Sequence, residues 1–245
     1  MCTVEKQGNL YILTLIGNNE HRLNPTLITS IRSSLSQIKS QSLQSKSPSA
    51  LITTAHGKFF SNGYDIAWSK STPKPNLSSQ IMNAQLQSLI SELINFPMPT
   101  IAAINGHASA AGFILAMAHD YLLMRKDRGF LYMSEVDIGL VIPPWFHAIM
   151  RCKIGGGWEG MRRVVLMAEK MTGEKAKREI GVVHEVFEGE KGAIEGAVEL
   201  GEELVKKGWD GEVYAENRKG LFKDVLDLIS IDDGVVNGSK IMTKL

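Results

Sequence analysis

The feature that most constrains this chain is a repeated alternation of short apolar runs with longer stretches of helical periodicity. Residues 10–16, 50–54, 100–104 and 120–125 are short, apolar and bounded by turn formers, and each reads as a strand. Between the first two, Asn24 is a good N-cap and Pro25 suits the first helical position; Leu27, Ile28, Ile31, Leu35 and Ile38 then recur at helical spacing. Residues 76–96 place Leu77, Ile81, Leu86, Leu89, Leu93 and Ile94 on one stripe before Pro97 and Pro99 end the pattern. A small-residue loop at 108–112 leads into a helix that runs through Met117, and residues 130–133 form one more short strand. Strands that alternate with helices predict an α/β core of crossover units.

Beyond Pro143-Pro144 the pattern turns mostly helical: residues 145–153, 158–171 and 174–180, a short strand at 182–187, and two charged amphipathic helices across 192–229 that part near 208–211. The expected organisation is a core over residues 1–190 and a helical region over 191–245, packed on the core or on a neighbouring subunit. The serine-rich segment 33–49 reads as a helix tail and surface loop.

Charge and composition exclude several classes of function. Lys and Arg number 27 against 26 Asp and Glu, so no positive field exists to attract nucleic acid or an anionic membrane. The longest apolar stretch, 110–118, is far short of the roughly 20 residues of a membrane span, and the N-terminus carries no secretory pattern. Cys2 and Cys152 form neither a disulfide framework nor a metal-ligand spacing, and the six histidines include no i, i+4 pair. No metal is expected. Gly155-Gly156-Gly157-Trp158-Glu159-Gly160 matches a dinucleotide fingerprint in letters only, because charged Arg151-Cys152-Lys153 stands where the buried strand should be. Ser109 lacks the glycines of a nucleophile elbow.

Two loops are of interest for their backbone. Ser61-Asn62-Gly63-Tyr64-Asp65 and Ala108-Ser109-Ala110-Ala111-Gly112 each follow a strand and lead into a helix, and each can offer a free peptide N–H. Two such donors converging on one carbonyl oxygen make an oxyanion hole, aided at the second loop by a helix dipole. Taken alone, small-residue loops more often serve tight packing. Glu135 lies in a strongly apolar stretch, where an unpaired carboxylate has a raised pKa and exchanges protons nearer neutrality. The alternative is a surface glutamate or half of an ion pair. Asp65 and Asp120 read better as cap or ion-pair residues.

Together these pieces resemble the crotonase family of enoyl-CoA hydratases and isomerases. Lys58-Phe59-Phe60-Ser61-Asn62-Gly63-Tyr64-Asp65-Ile66 is similar to its first oxyanion loop, with the donor at Tyr64. Pro99-Thr100-Ile101-Ala102-Ala103-Ile104-Asn105-Gly106-His107-Ala108, with Ala110-Ala111-Gly112, is similar to the second, with the donor at Ala111. Met171-Thr172-Gly173-Glu174, Ala176 and Gly181-Val182-Val183 extend the resemblance. It implies a crotonase-like spiral of β-β-α turns, a helical C-terminal region that mediates trimer contacts, and an acyl-CoA ligand.

The departures are informative. Hydratases of that family use two glutamates to activate water; here Ile114 stands at the first position and Glu135 at the second. Ala110-Ala111 replaces the commoner Gly-Gly. One carboxylate suits a reaction that only moves a proton, and Glu135 with downstream Pro143-Pro144-Trp145-Phe146 resembles the Δ3,Δ2-enoyl-CoA isomerases. The resemblance implies that CoA passes along Arg22, Leu23 and Asn24 and along Ser61, Asn62, Gly63, Asp65 and Ile66, beside Gly112. Arg22 is either a phosphate partner or a solvated arginine, and Lys219 or Lys223 would reach the nucleotide from a neighbour. CoA belongs to the substrate, and no separate cofactor is expected. Thr243-Lys244-Leu245 resembles the Ser-Lys-Leu address read by the peroxisomal import receptor, which implies a peroxisomal protein. A hydratase or other crotonase chemistry, or a non-catalytic acyl-CoA-binding protein, remains open at this level.

Overall fold

The computed structural model describes residues 1–235, so Thr243-Lys244-Leu245 lies outside the described residues. The main sheet has the order β1-β2-β3-β5-β7-β9, built from β1 (Cys2–Gln7), β2 (Leu10–Leu15), β3 (Ala50–Ala55), β5 (Thr100–Ile104), β7 (Tyr121–Arg125) and β9 (Glu185–Phe187). β1 pairs antiparallel with β2 through the turn at Gly8-Asn9, and the other pairings are parallel. The second sheet is small and parallel, with the order β4 (Phe59–Ser61), β6 (His107–Ser109), β8 (Leu131–Tyr132).

Each strand of the small sheet continues the chain from a strand of the large one: β3 leads to β4, β5 to β6, and β7 to β8. Helices then carry the chain back. α1 (Pro25–Ser45) follows β2; α2 (Ile66–Ser71) and α3 (Pro75–Ile94) follow β4; α4 (Ala111–Met117) follows β6; a 3-10 turn (Val136–Ile138) and α5 (Pro144–Lys153) follow β8. The result is the expected succession of β-β-α turns.

The central strands β2, β3, β5 and β7 are buried on both faces, as parallel strands with crossovers require. Tyr11, Leu13, Leu15, Leu51, Ala102, Ile104, Leu122 and Met124 face the large core shared with α1, α3, α4 and α5. Leu10, Ile12, Ile52, Ile101, Ala103 and Leu123 face the other way, onto Ala197 and Leu204 of α8 (Gly189–Lys206). Small residues let α8 lie close to the sheet. A β-carbon at Gly201 would come within 2.9 Å of the Leu10 side chain, and one at Gly196 within 2.2 Å of the Phe187 ring.

The remaining helices are α6 (Gly157–Met161), α7 (Gly173–Ile180), α9 (Gly211–Leu221) and α10 (Lys223–Val235). Arg218 of α9, nearly fully buried, bonds both carboxylate oxygens of Asp120 at 2.6 Å and the carbonyls of Phe96 and Met98 at 2.7 Å. It therefore ties α9 to the end of α3 and to the starts of β5 and β7, and Asp120 is the ion-pair residue expected. Beside it Lys153 donates to the His119 and Asp120 carbonyls, and burial lowers its pKa to about 8.

Several sequence expectations need correction. The hairpin strand β1 adds to the expected strands; its largely solvent-facing residues carry little apolar signal. The expected loop 56–65 contains β4, too short to show a period. Leu77 and Ile81, placed on the buried stripe of α3, are exposed; Ser78, Met82, Leu86, Leu89, Ile90 and Leu93 are buried, since the first turns of α3 reach past the core. The single helix expected over 158–171 is the short α6 followed by a π-helical turn (Arg162–Leu166), after which Met171 leaves to bridge Leu131. Arg163, paired with Glu169 and Glu179, holds that break together. The strand over 182–187 shortens to β9, and the last section holds three helices because the chain breaks at Phe222 between α9 and α10.

Candidate active site

Because β4, β6 and β8 are parallel, whatever follows their C-terminal ends emerges along one edge, where ligand sites of parallel sheets form. Tyr64 comes just after β4, Ala111 just after β6 and Glu135 just after β8. These are the three residues singled out for catalysis in the sequence. Packing between the loops leaves no room for side chains. A β-carbon at Gly112 would sit 2.2 Å from the Ser61 carbonyl oxygen, and one at Gly63 would meet the Ser109 carbonyl at 3.0 Å and the Ala111 amide nitrogen at 3.3 Å.

The first donor is oriented by the segment before α1. Leu23 N–H donates to Gly63 O at 2.7 Å and Leu23 O accepts from Asp65 N–H at 3.2 Å, a one-residue parallel bridge that consumes the peptide groups on either side of Tyr64. In a planar trans peptide the N–H points opposite to the carbonyl. With Gly63 C=O turned to Leu23, the Tyr64 N–H faces away from it, and no acceptor for it occurs among the described residues. Ala111 is the first residue of α4 and its N–H likewise has no acceptor there. Ala110 before it has φ 52 and ψ −126, a backbone state natural to glycine. Its N–H bonds Tyr132 O at 2.9 Å, which locks the turn to β8. α4 is only two turns long, so the dipole expected at this loop is that of a short helix.

Glu135 is buried, at 7% exposure, and its Oε2 has no hydrogen-bond partner among the described residues. Desolvation raises its pKa above the ordinary value of 4.5, opposed by backbone amides of Glu135 and Ser134. Its own carbonyl accepts from Leu140 N–H at 2.8 Å and Ile138 N–H at 3.2 Å, fixing the turn that carries it. The neighbouring apolar side chains are not all inside: Val136, Ile138 and Val141 are exposed.

The Tyr64 side chain lies close enough to Glu135 for its phenol pKa to be raised by burial and by the carboxylate charge. Its hydroxyl donates to Asn83 Oδ1 at 3.1 Å, and the Trp145 indole N–H donates to the same oxygen at 3.3 Å. Phe146 stacks on Tyr64 with ring centroids 6.2 Å apart. An aromatic wall thus forms from the loop after β4 and from α5, with Asn83 of α3 joining Tyr64 to Trp145. Sequence reasoning missed Asn83, which is one polar residue among many on α3.

The other candidate residues divide by what already occupies them. Ser61 donates to His21 O at 2.8 Å, Asn62 N–H donates to Glu20 O at 2.8 Å, and both act as loop ties. Asp65 caps α2 through Trp68 N–H and accepts from Asn24 Nδ2 at 3.0 Å, so its carboxylate is structural as read. Ile66 opens α2, half-buried. Leu23 is buried, while Arg22 is partly exposed and paired with Glu20 at 2.7 Å. Lys219 pairs with Glu216 and Lys223 with Asp227. Ile114 is fully buried in α4. Gly155-Gly156-Gly157 connects α5 to α6 and follows no strand. No group of three or more potential metal ligands occurs among the described residues.

A family model described as enoyl-CoA hydratase/isomerase matches residues 6–217. The chain belongs to the enoyl-CoA hydratase/isomerase family. Similar members include Enoyl-CoA delta isomerase 1, peroxisomal, of Arabidopsis thaliana, 52% identical over 226 residues that span 92% of this chain and 91% of that protein. Enoyl-CoA delta isomerase 2, peroxisomal, of the same organism is 46% identical over 239 residues, 96% of this chain and 98% of that protein. The crystal structure of an enoyl-CoA hydratase/isomerase family protein from Pseudomonas syringae superimposes with a TM-score of 0.84 over 97% of both chains at 20% identity, a likeness of fold. The fold is the crotonase-like one the sequence resembled.

Proposed function

We propose that this chain is a Δ3,Δ2-enoyl-CoA isomerase that works with a single acid–base residue. The observation that carries the reading is Glu135, a buried carboxylate with an unpartnered oxygen, set on the same sheet edge as two backbone N–H groups that have no acceptor. The thioester oxygen of a 3-enoyl-CoA accepts from the N–H groups of Tyr64 and Ala111. Glu135 removes a proton from C2, the electron pair moves into a dienolate held by those donors, and Glu135 returns the proton at C4, leaving the double bond between C2 and C3. Ionised Glu135 starts and ends the cycle, so atoms and charge balance without a cofactor. Ile114, buried and apolar, stands where a second water-activating carboxylate would be needed for hydration.

The CoA portion passes along Arg22 and Leu23 and the 61–66 loop beside Gly112, with the Glu20 pairing of Arg22 exchanged for phosphate. A peroxisomal site of action and a role in unsaturated fatty-acid β-oxidation are supported by the two relatives named peroxisomal enoyl-CoA delta isomerases. Helices α8, α9 and α10 serve as the contact surface of a trimer or a dimer of trimers.

The test is the absorbance of the conjugated enoyl thioester. Growth of that band from a 3-enoyl-CoA, with no decay of a 2-enoyl-CoA, is the expected result. Decay of the 2-enoyl-CoA band would establish hydration instead, and silence with both would leave a protein that only binds acyl-CoA.

A further inference from the structure

We infer that His21 is a positioning residue for the oxyanion donor at Tyr64, fixing the peptide that aims its N–H. This inference rests on the reading of Tyr64 N–H as an oxyanion donor. His21 lies in the segment between β2 and α1 and is 3% exposed. Its ring Nε2 lies 2.8 Å from His56 O, and since a carbonyl only accepts, Nε2 carries the proton and donates. Its own carbonyl accepts the Ser61 hydroxyl at 2.8 Å, and that hydroxyl oxygen in turn receives Gly63 N–H at 3.4 Å. One residue thus grips both ends of the 56–61 loop, by its ring at one end and its backbone at the other.

The grip is transmitted directly to the donor. Two residues on, Leu23 N–H holds Gly63 C=O, and that carbonyl belongs to the same peptide plane as Tyr64 N–H. Phe59 N–H on Asn19 O and Asn62 N–H on Glu20 O zip the rest of the 19–23 segment onto the loop. A rotation of the 19–23 segment therefore rotates the Tyr64 N–H.

His21 is also costly to keep. Its φ is 46, a left-handed conformation for a residue with a side chain, and its Nδ1 is buried with no partner among the described residues. Strain and an unpaired polar atom at a position that steers a donor are the pattern of a constraint held for function.

The experiment compares His21→Leu with His21→Gln. Both variants bear the same backbone strain and near-equal volume, but only glutamine can present an N–H to His56 O. Leucine is expected to lower kcat for 3-enoyl-CoA isomerisation on the order of 10- to 100-fold, as misplaced catalytic groups do, with KM little changed. Glutamine is expected to restore most of that loss. Wild-type kcat in the leucine variant, equal losses in both, or a loss that merely follows the folded fraction by circular dichroism would each overturn the inference. Wild-type protein assayed alongside separates the cases, since failure of the wild type to isomerise would remove the oxyanion reading itself.

Discussion

Gly63 and Ala111 approach so closely that a β-carbon on the glycine would lie 3.3 Å from the alanine's amide nitrogen. The two loops that carry the oxyanion donors are packed backbone against backbone, 48 positions apart in the sequence as 111 minus 63. Gly63 also has φ +72, which a side chain resists. Gly63→Ala is expected to push the loops apart and lower kcat on the order of 100-fold, while far-ultraviolet circular dichroism stays native. Unchanged steady-state kinetics in that variant would show that the contact does not set donor geometry.

Ala110 carries the opposite lesson. At φ 52 and ψ −126 it occupies a glycine conformation, held by its N–H bond to Tyr132 O. Ala110→Gly removes strain worth about 1–3 kcal/mol and adds unfolded-state entropy worth somewhat less. A net stabilisation of about 1 kcal/mol is expected in urea unfolding, with activity retained.

Glu135 is expected to trade stability for chemistry. Its folded-state pKa is raised above the ordinary 4.5, so the folded protein binds the proton more tightly than the unfolded chain does. The stabilisation from protonated Glu135 is full below the ordinary value and is lost as pH rises through the raised one. Glu135→Gln, neutral at every pH, is therefore expected to melt higher than wild type at pH 7 and near wild type at about pH 4. The same shift places the acidic limb of kcat/KM above the ordinary carboxylate range, because the base must be ionised to accept the C2 proton.

Arg218 tests the attachment of the C-terminal helices. Arg218→Met leaves the partly buried Asp120 without its fork of two hydrogen bonds and frees the carbonyls at the end of α3. Breaking a buried pair from one side costs about 3–5 kcal/mol, read as a lower denaturation midpoint.

The large-scale fold was legible because the strands 50–54 and 100–104 are buried on both faces and so read as unbroken apolar runs. Of the small sheet only β8 was legible, within the short strand read at 130–133; β4 and β6 have three residues each, too few to show a period, and their identity comes from neighbours brought in by the spiral. At the site, Gly63 and Gly112 announced close backbone approach, and Glu135 announced itself as a charge in apolar surroundings. Asn83 and His21 gave no such signal. Their roles depend on what lies across space from them, Trp145 and Tyr64 for one, His56 and Ser61 for the other.

One carboxylate moves the proton, and the direct measurement is the initial rate at which wild type and Glu135→Gln form the conjugated thioester from saturating 3-enoyl-CoA. The variant is expected to lose on the order of 10²- to 10⁴-fold in rate, with CoA-ester binding intact by calorimetry. A variant that isomerises as fast as wild type would contradict it.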